Sequence, residues 1–287
     1  MQASLDAIKS QGAKKKHVGS VEEQRGEFDG HMASRQLPKS IMTEDFFLAG
    51  RRSRRLKPDR QHTPEAVLFL HGGGYRTGSL NSHSSVAWHL AVACDAQVIG
   101  FDYRLAPENQ YPAALDDSVA AFVQICKSCD ENTVLISADS AGDDLALACA
   151  LRLKDENLPR PGCLALLLPV TDLTMSGNSY GEFRDLCDED APLYSGDYPL
   201  ETDGLSPLYG DMTGLPPILI HAAQGEQLLD DSVQLEKRAT EYGVAVDLKL
   251  FHDVCHCFQI VTDLPEAHDA LADIGRFLNL NIRGNGR

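Results

Sequence analysis

No stretch of this chain of 287 residues approaches the roughly 18 to 20 uninterrupted apolar residues that a membrane-spanning helix requires. The longest apolar runs, such as Cys163 to Val170, have the length of strands. The opening Met1-Gln2-Ala3-Ser4 lacks a basic segment followed by an apolar core and a cleavage site. No secretory signal is therefore read, and the expected location is cytoplasmic. Cysteine offers no framework either: eight residues without regular spacing suit buried, reduced thiols better than disulfides. Cys126-Lys127-Ser128-Cys129 is the only C-x-x-C pair, and no second pair or His/Cys cluster completes four zinc ligands. It reads as two thiols at a helix end, and no metal is expected. Positive charge is scarce, with 26 Lys and Arg against 42 Asp and Glu and a net charge of −16, which speaks against nucleic acid as a partner. No internal repeat is present.

The charge is unevenly divided. Residues 1 to 60 hold 13 of the 26 basic and 8 of the 42 acidic residues, so the first segment is net positive and the remainder strongly acidic. Electrostatic docking of the first segment onto the body is expected. Membrane contact by Lys14-Lys15-Lys16 or Arg51-Arg52-Ser53-Arg54-Arg55 is a weaker reading, because neither run lies on an evident amphipathic helix. Residues 1–40 are polar and interrupted by Gly12, Gly19, Gly26 and Gly30, and Pro38 marks their boundary. From 41 to 280 the pattern predicts one α/β body, of a length ordinary for a single domain.

Two short strands around Ala49-Gly50 predict an antiparallel edge hairpin. Ala66-Val67-Leu68-Phe69-Leu70 is an apolar run of the kind buried on both faces of a parallel sheet. Beyond it the signals alternate: helix 84–93, strand 97–101, helix 113–126, strand 133–137, helix 141–154, strand 164–170. After a break come strand 217–222, helix 231–242, strand 245–251 and helix 265–278. This is a doubly wound pattern, a mostly parallel sheet with helices on both faces. Residues 171–205, rich in Asp, Gly, Ser and Tyr, are a candidate cap insertion. Residues 281–287 read as a tail.

In such a sheet functional groups collect at the carboxyl ends of the strands. His71-Gly72-Gly73-Gly74 begins where the buried run ends, and consecutive glycines let backbone approach something closely. A flexible loop is the plain alternative, but oxyanion binding is favoured: the N–H groups of Gly72 and Gly73 would face a substrate oxygen, joined by that of Ala141. Ser140, in Ala138-Asp139-Ser140-Ala141-Gly142, sits between a strand and a helix, as a nucleophile elbow requires. A base is expected on a loop after the last core strand, which leaves His252, His256 and His268. His256 lies just beyond that strand, whereas His252 lies at its end and His268 in a helix. Cys255 and Cys257, which flank His256, are expected to point to the side opposite its ring in extended chain, so that cysteine and histidine do not share an ion.

His71-Gly72-Gly73-Gly74-Tyr75, Asp102-Tyr103-Arg104-Leu105-Ala106-Pro107-Glu108 and Asp139-Ser140-Ala141-Gly142 together resemble the bacterial hormone-sensitive lipase family of carboxylesterases, with the α/β-hydrolase fold. Asp172-Leu173-Thr174, Ser206-Pro207-Leu208-Tyr209 and Leu215-Pro216-Pro217 extend the likeness over about residues 40 to 280. The resemblance implies hydrolysis of short-chain esters as small-molecule substrates, with no metal or organic cofactor and a cap built partly from the N-terminal segment. It makes Ser140 the nucleophile and His256 the base.

Three departures qualify it. The family's acid position is Gly225, so Glu226, one residue on, is the nearest replacement, with Asp230 and Asp231 as further candidates or simply as the acidic start of a helix. Ala138 stands for the first elbow glycine, where a methyl group implies strain. Asp143 stands for a glycine behind the nucleophile, either stabilised by the helix dipole or opposing an oxyanion. These departures motivate a second reading, a non-hydrolytic relative that binds a ligand or acts as a lyase. The cap is expected to be shorter than the family norm, and Tyr180, Phe183 and Tyr194 either line the pocket or pack. Edge-strand pairing into a homodimer is left open.

Overall fold

The structure is a computed structural model that describes residues 19–32, 37–60, 64–183 and 190–283. The expectation for Lys14-Lys15-Lys16 lies outside the described residues, as do 184–189 of the candidate cap and the last four residues of the tail. Among the described residues eight strands run in chain order: β1 (Ile41–Leu48), β2 (Arg51–Pro58), β3 (Ala66–Leu70), β4 (Gln97–Phe101), β5 (Val134–Asp139), β6 (Cys163–Leu167), β7 (Ile218–Ala223) and β8 (Val246–Phe251). They form one sheet in the order β1-β2-β4-β3-β5-β6-β7-β8. The β1–β2 hairpin and its join to β4 are antiparallel, and every other pairing is parallel. The helices are α1 (Val21–Met32), α2 (Ser84–Cys94), α3 (Ala113–Ile125), α4 (Ala141–Asp155), α5 (Asp190–Ser195), α6 (Leu229–Glu241) and α7 (Pro265–Leu278).

Strand alternation divides the core in two. Leu68, Leu70, Ile136 and Leu166 point to one face, where Leu115, Leu145 and Leu235 of α3, α4 and α6 meet them. Val67, Phe69, Leu135 and Leu167 point to the other, against Leu90 of α2 and Ile274 of α7. All five residues of β3 are therefore buried, as its unbroken apolar run predicts. Strand β6 stops at Leu167, three residues short of the apolar run, because Leu168 takes a φ of 64° and Pro169 has no N–H to continue a ladder.

Helix α1 starts in a capping box: the Ser20 hydroxyl accepts the Glu23 N–H at 3.2 Å while the Glu23 carboxylate accepts the Ser20 N–H at 2.7 Å. Arg25 then pins α1 to the body, donating to the Glu108 carboxylate at 2.7 and 2.9 Å and to the carbonyls of Arg76 and Ala106. One ion pair thus joins α1 to the body, while Lys9, Lys14, Lys15, Lys16 and Arg35 lie outside the described residues. The β2 arginines are likewise absorbed by the protein: Arg54 bonds Asp45, Arg55 pairs with Glu44, and Arg51 and Arg52 face Asp117 and Asp102. No helix among the described residues is long and apolar enough to cross a membrane.

Candidate active site

Strand β3 has β4 on one side and β5 on the other, so the chain winds outward in opposite directions from the β3–β5 boundary. In parallel α/β sheets such a switch point opens a crevice at the carboxyl ends of the strands. Leu70 pairs with Ala138, which sets the loop beginning at His71 beside the turn at Ser140. The two are interlocked at backbone distance. A Cβ on Gly72 would lie 2.4 Å from the Asp139 carboxylate, and one on Gly142 would lie 2.2 Å from the Leu70 carbonyl. Ser140 itself takes φ 54° and ψ −117°, a left-handed turn that costs a non-glycine residue on the order of 1–3 kcal/mol. The strain falls on Ser140, not on Ala138, which is an ordinary buried β5 residue whose methyl sits in the core. The turn lifts the Ser140 side chain off the sheet at the N-terminus of α4.

His256 stands on the loop after β8, with its side chain 36% exposed, so the crevice is open to solvent. Its Nε2 lies 2.9 Å from Ser140 Oγ and its Nδ1 lies 2.9 Å from Glu226 Oε2. The Glu226 side chain is buried at the end of β7. Burial alone would lower the His256 pKa, but the facing Glu226 carboxylate, by charge and hydrogen bond, and the Asp139 charge outweigh it. The net result is a pKa raised above the ordinary 6.5. Gly225 has a φ of 85°, and a Cβ there would touch nothing within 4 Å. The position is open in space but closed to most side chains by its backbone, and the turn that glycine permits presents the longer Glu226 to the imidazole. His252 is exposed beyond β8, and His268 lies on α7 against His89.

Asp230 and Asp231 face elsewhere. Asp230 accepts the N–H groups of Asn178 and Ser179 at 2.6 and 3.1 Å, and Asp231 those of Thr171 and Asp172 at 2.7 and 3.1 Å. They tie the segment after β6 to the start of α6. Burial pushes the Asp231 carboxyl up to about 7. Asp143 is wholly buried and accepts the Leu167 N–H at 3.0 Å. Burial, reinforced by the Asp139 charge, pushes its carboxyl well above the ordinary carboxylate value.

The glycine loop requires a further correction. The Gly72 N–H donates to Asp139 Oδ1 at 2.9 Å and is not free to meet a substrate oxygen. The N–H groups of Gly73, Gly74 and Ala141 have no acceptor among the described residues. Sequence reasoning missed Gly74, because a run of identical glycines carries no mark of which amide the strand end will consume. Cys257 also departs from expectation. Its φ of 51° turns the chain back, and its sulfur lies 3.3 Å from His256 Nε2 where extended chain would have pointed it away. No group of three or more His, Cys, Asp or Glu able to hold a metal occurs among the described residues. Tyr180 and Tyr194 are buried packing residues, Tyr194 stacking on Tyr75 with ring centroids 3.9 Å apart. The Phe183 side chain lies outside the described set.

A family model described as alpha/beta hydrolase fold matches residues 67–260. The chain is similar to an esterase of Acinetobacter venetianus, 37% identical over 244 residues that make up 80% of this chain and 79% of that one. It is also similar to an acetyl-hydrolase of Streptomyces hygroscopicus, 36% identical over 236 residues, 78% of each chain. Among solved structures it matches an esterase from the bacterial hormone-sensitive lipase family with a TM-score of 0.92 and 31% identity, over 98% of this chain and 97% of that one.

Proposed function

This chain belongs to the α/β-hydrolase fold family, in its bacterial hormone-sensitive lipase branch, and we propose that it is a serine carboxylesterase hydrolysing short-chain carboxylic esters through an acyl-enzyme. The observation that carries the reading is the unbroken relay of Ser140, His256 and Glu226 at 2.9 Å per link, beside three backbone N–H groups without an acceptor among the described residues.

Glu226 holds the proton of His256 on Nδ1, leaving the Nε2 lone pair directed at the Ser140 hydroxyl. As Oγ bonds to the ester carbonyl carbon, its proton passes to Nε2 and the carbonyl oxygen becomes an oxyanion that Gly73, Gly74 and Ala141 N–H groups receive. Collapse breaks the ester C–O bond, and His256 returns the proton to the departing alcohol. Water then repeats the cycle on the acyl-enzyme, releasing the carboxylic acid. The positive start of α4 adds to the field at the oxyanion.

Residues 1–40 and 171–205 supply the cap. Two contacts support this: Arg25 of α1 bonds the Arg76 carbonyl, and Tyr194 of α5 stacks on Tyr75, both just past the glycine loop. The seven described cysteines are free thiols, which fits a cytoplasmic location. Pairing of two copies would run along β1 or β8, the outermost strands, and size-exclusion chromatography reads it. The departures that motivated a non-hydrolytic reading each have a structural accommodation at Ala138, Asp143 and Gly225.

The test is turnover of p-nitrophenyl acetate and butyrate together with fluorophosphonate labelling. The wild type is expected to turn over and to label at one-to-one stoichiometry. Ser140→Ala is expected to lose both, with turnover down by roughly 10⁵-fold or more. A folded wild type that neither hydrolyses nor labels overturns the esterase reading.

A further inference from the structure

We propose that Asp139 is a positioning residue that holds the oxyanion loop in register with the nucleophile, and that His83 is its counter-group. The inference rests on the esterase reading and extends it to two residues whose side chains are not members of the relay.

The case is geometric. Asp139 is the last residue of β5 and precedes Ser140 directly. Its Oδ1 accepts the Gly72 N–H at 2.9 Å, and the donors offered to the substrate, Gly73 and Gly74, follow immediately. The spacing between hydroxyl and amides is thus set across one hydrogen bond, rather than through the flanking helices. A carboxylate acceptor makes that bond charge-assisted, roughly twice as strong as a neutral one. Gly72 has no side chain because none would fit between this carboxylate and the loop.

An uncompensated carboxylate beside a developing oxyanion would oppose it. The second oxygen, Oδ2, faces His83 Nε2 at 3.4 Å, and Asp139 and His83 are both buried. Ser82 Oγ lies 3.0 Å from the other ring nitrogen of His83, and the ring stacks between Phe28 of α1 and His71. Burial pushes the Asp139 carboxyl up, but the facing His83 and the Gly72 N–H outweigh it and hold it below its usual value. His71 is kept neutral, its pKa lowered by burial to about 3. The arrangement explains why an ionised group can stand next to the hole, and it gives α1 a physical link to the loop through Phe28.

The test compares Asp139→Asn, Asp139→Leu and His83→Gln with wild type on p-nitrophenyl acetate. Measurements are made on the pH plateau, because the Asp139 charge also contributes to the raised His256 pKa. The second readout is the inhibition constant of a trifluoromethyl ketone, whose adduct with Ser140 places an oxyanion in the hole. Asp139→Asn keeps shape and an acceptor but loses charge. It is expected to lower kcat by roughly 10- to 100-fold with KM within about threefold, and to weaken the inhibitor by a similar factor. Asp139→Leu is expected to lose more, and His83→Gln less with the same signature. Wild-type kcat and inhibitor affinity in Asp139→Asn overturn the proposal, as does a fall in kcat with inhibitor affinity retained. If Asp139→Leu does not fold, the isosteric Asn variant and His83→Gln decide. A wild type without turnover is a failure of the esterase reading, distinguishable because no variant then has a kcat to compare.

Discussion

The two halves of the catalytic crevice are built by different means. On the β3–β5 side, parallel neighbours bring the glycine loop against the serine turn through main-chain contacts that leave no room for a Cβ at Gly72 or Gly142. On the β7–β8 side, Glu226 and His256 meet only through side chains projecting from two separate loops. Main-chain contacts leave little freedom in the identity or place of a residue. Side-chain contacts can be met from a neighbouring position by a longer arm. On the proposed reading the carboxylate that faces His256 therefore stands one residue beyond the position the family resemblance implies, while Ser140 stands at the strand-to-helix turn that its motif predicts.

The sharpest probe of this contrast is Glu226→Gln. If the displaced carboxylate orients the base, kcat should fall by up to about 10⁴-fold, the cost of losing the acid in serine hydrolases generally. The pH profile should move with it. His256 must be neutral to act, and its pKa is raised, so wild-type kcat/KM should fall with acid through a midpoint above 6.5. Without the Glu226 charge the midpoint should move to lower pH. A profile that stays in place would assign the raised pKa to another group.

Gly72→Ala tests the other side and is expected to cost 10²- to 10³-fold in kcat, about the loss of one oxyanion donor. The methyl must displace Asp139, and circular dichroism distinguishes this from unfolding. Wild-type turnover would show that the loop has slack.

Restoring the family's acid with Gly225→Asp should not improve activity. The φ of 85° makes any side chain there cost about 1–2 kcal/mol, and Glu226 already occupies the imidazole. A gain above tenfold in kcat would show that Glu226 is a poor substitute.

The smallest effect expected is at Asp231, which anchors the segment after β6. Its folded pKa, about 7, lies above the usual 3.8, so the native state keeps a proton that the unfolded chain releases. Its contribution to stability is therefore intact below pH 3.8 and declines as pH rises toward 7. Asp231→Asn, which retains an acceptor, should flatten the fall of melting temperature with pH across that window.

Much of this was legible in the chain alone. Unbroken apolar runs such as Ala66 to Leu70 encode buried parallel strands because only residues without polar atoms tolerate cover on both faces. Glycines following such a run, and a serine between strand and helix, encode close approach and a tight turn through local sterics. The order of these signals, with a histidine after the last strand, sufficed to assemble Ser140 and His256 as candidates and to leave Glu226, Asp230 and Asp231 open. Only the tertiary structure separated those three, because which carboxylate reaches an imidazole is set by loop φ angles and by competing amides such as those of Thr171 and Asn178. It also decided that Gly72 gives up its N–H to Asp139, and that burial pushes the Asp143 carboxyl up. These are properties of partners remote in the chain and of exclusion from water, and neither is written in the identity of a single residue.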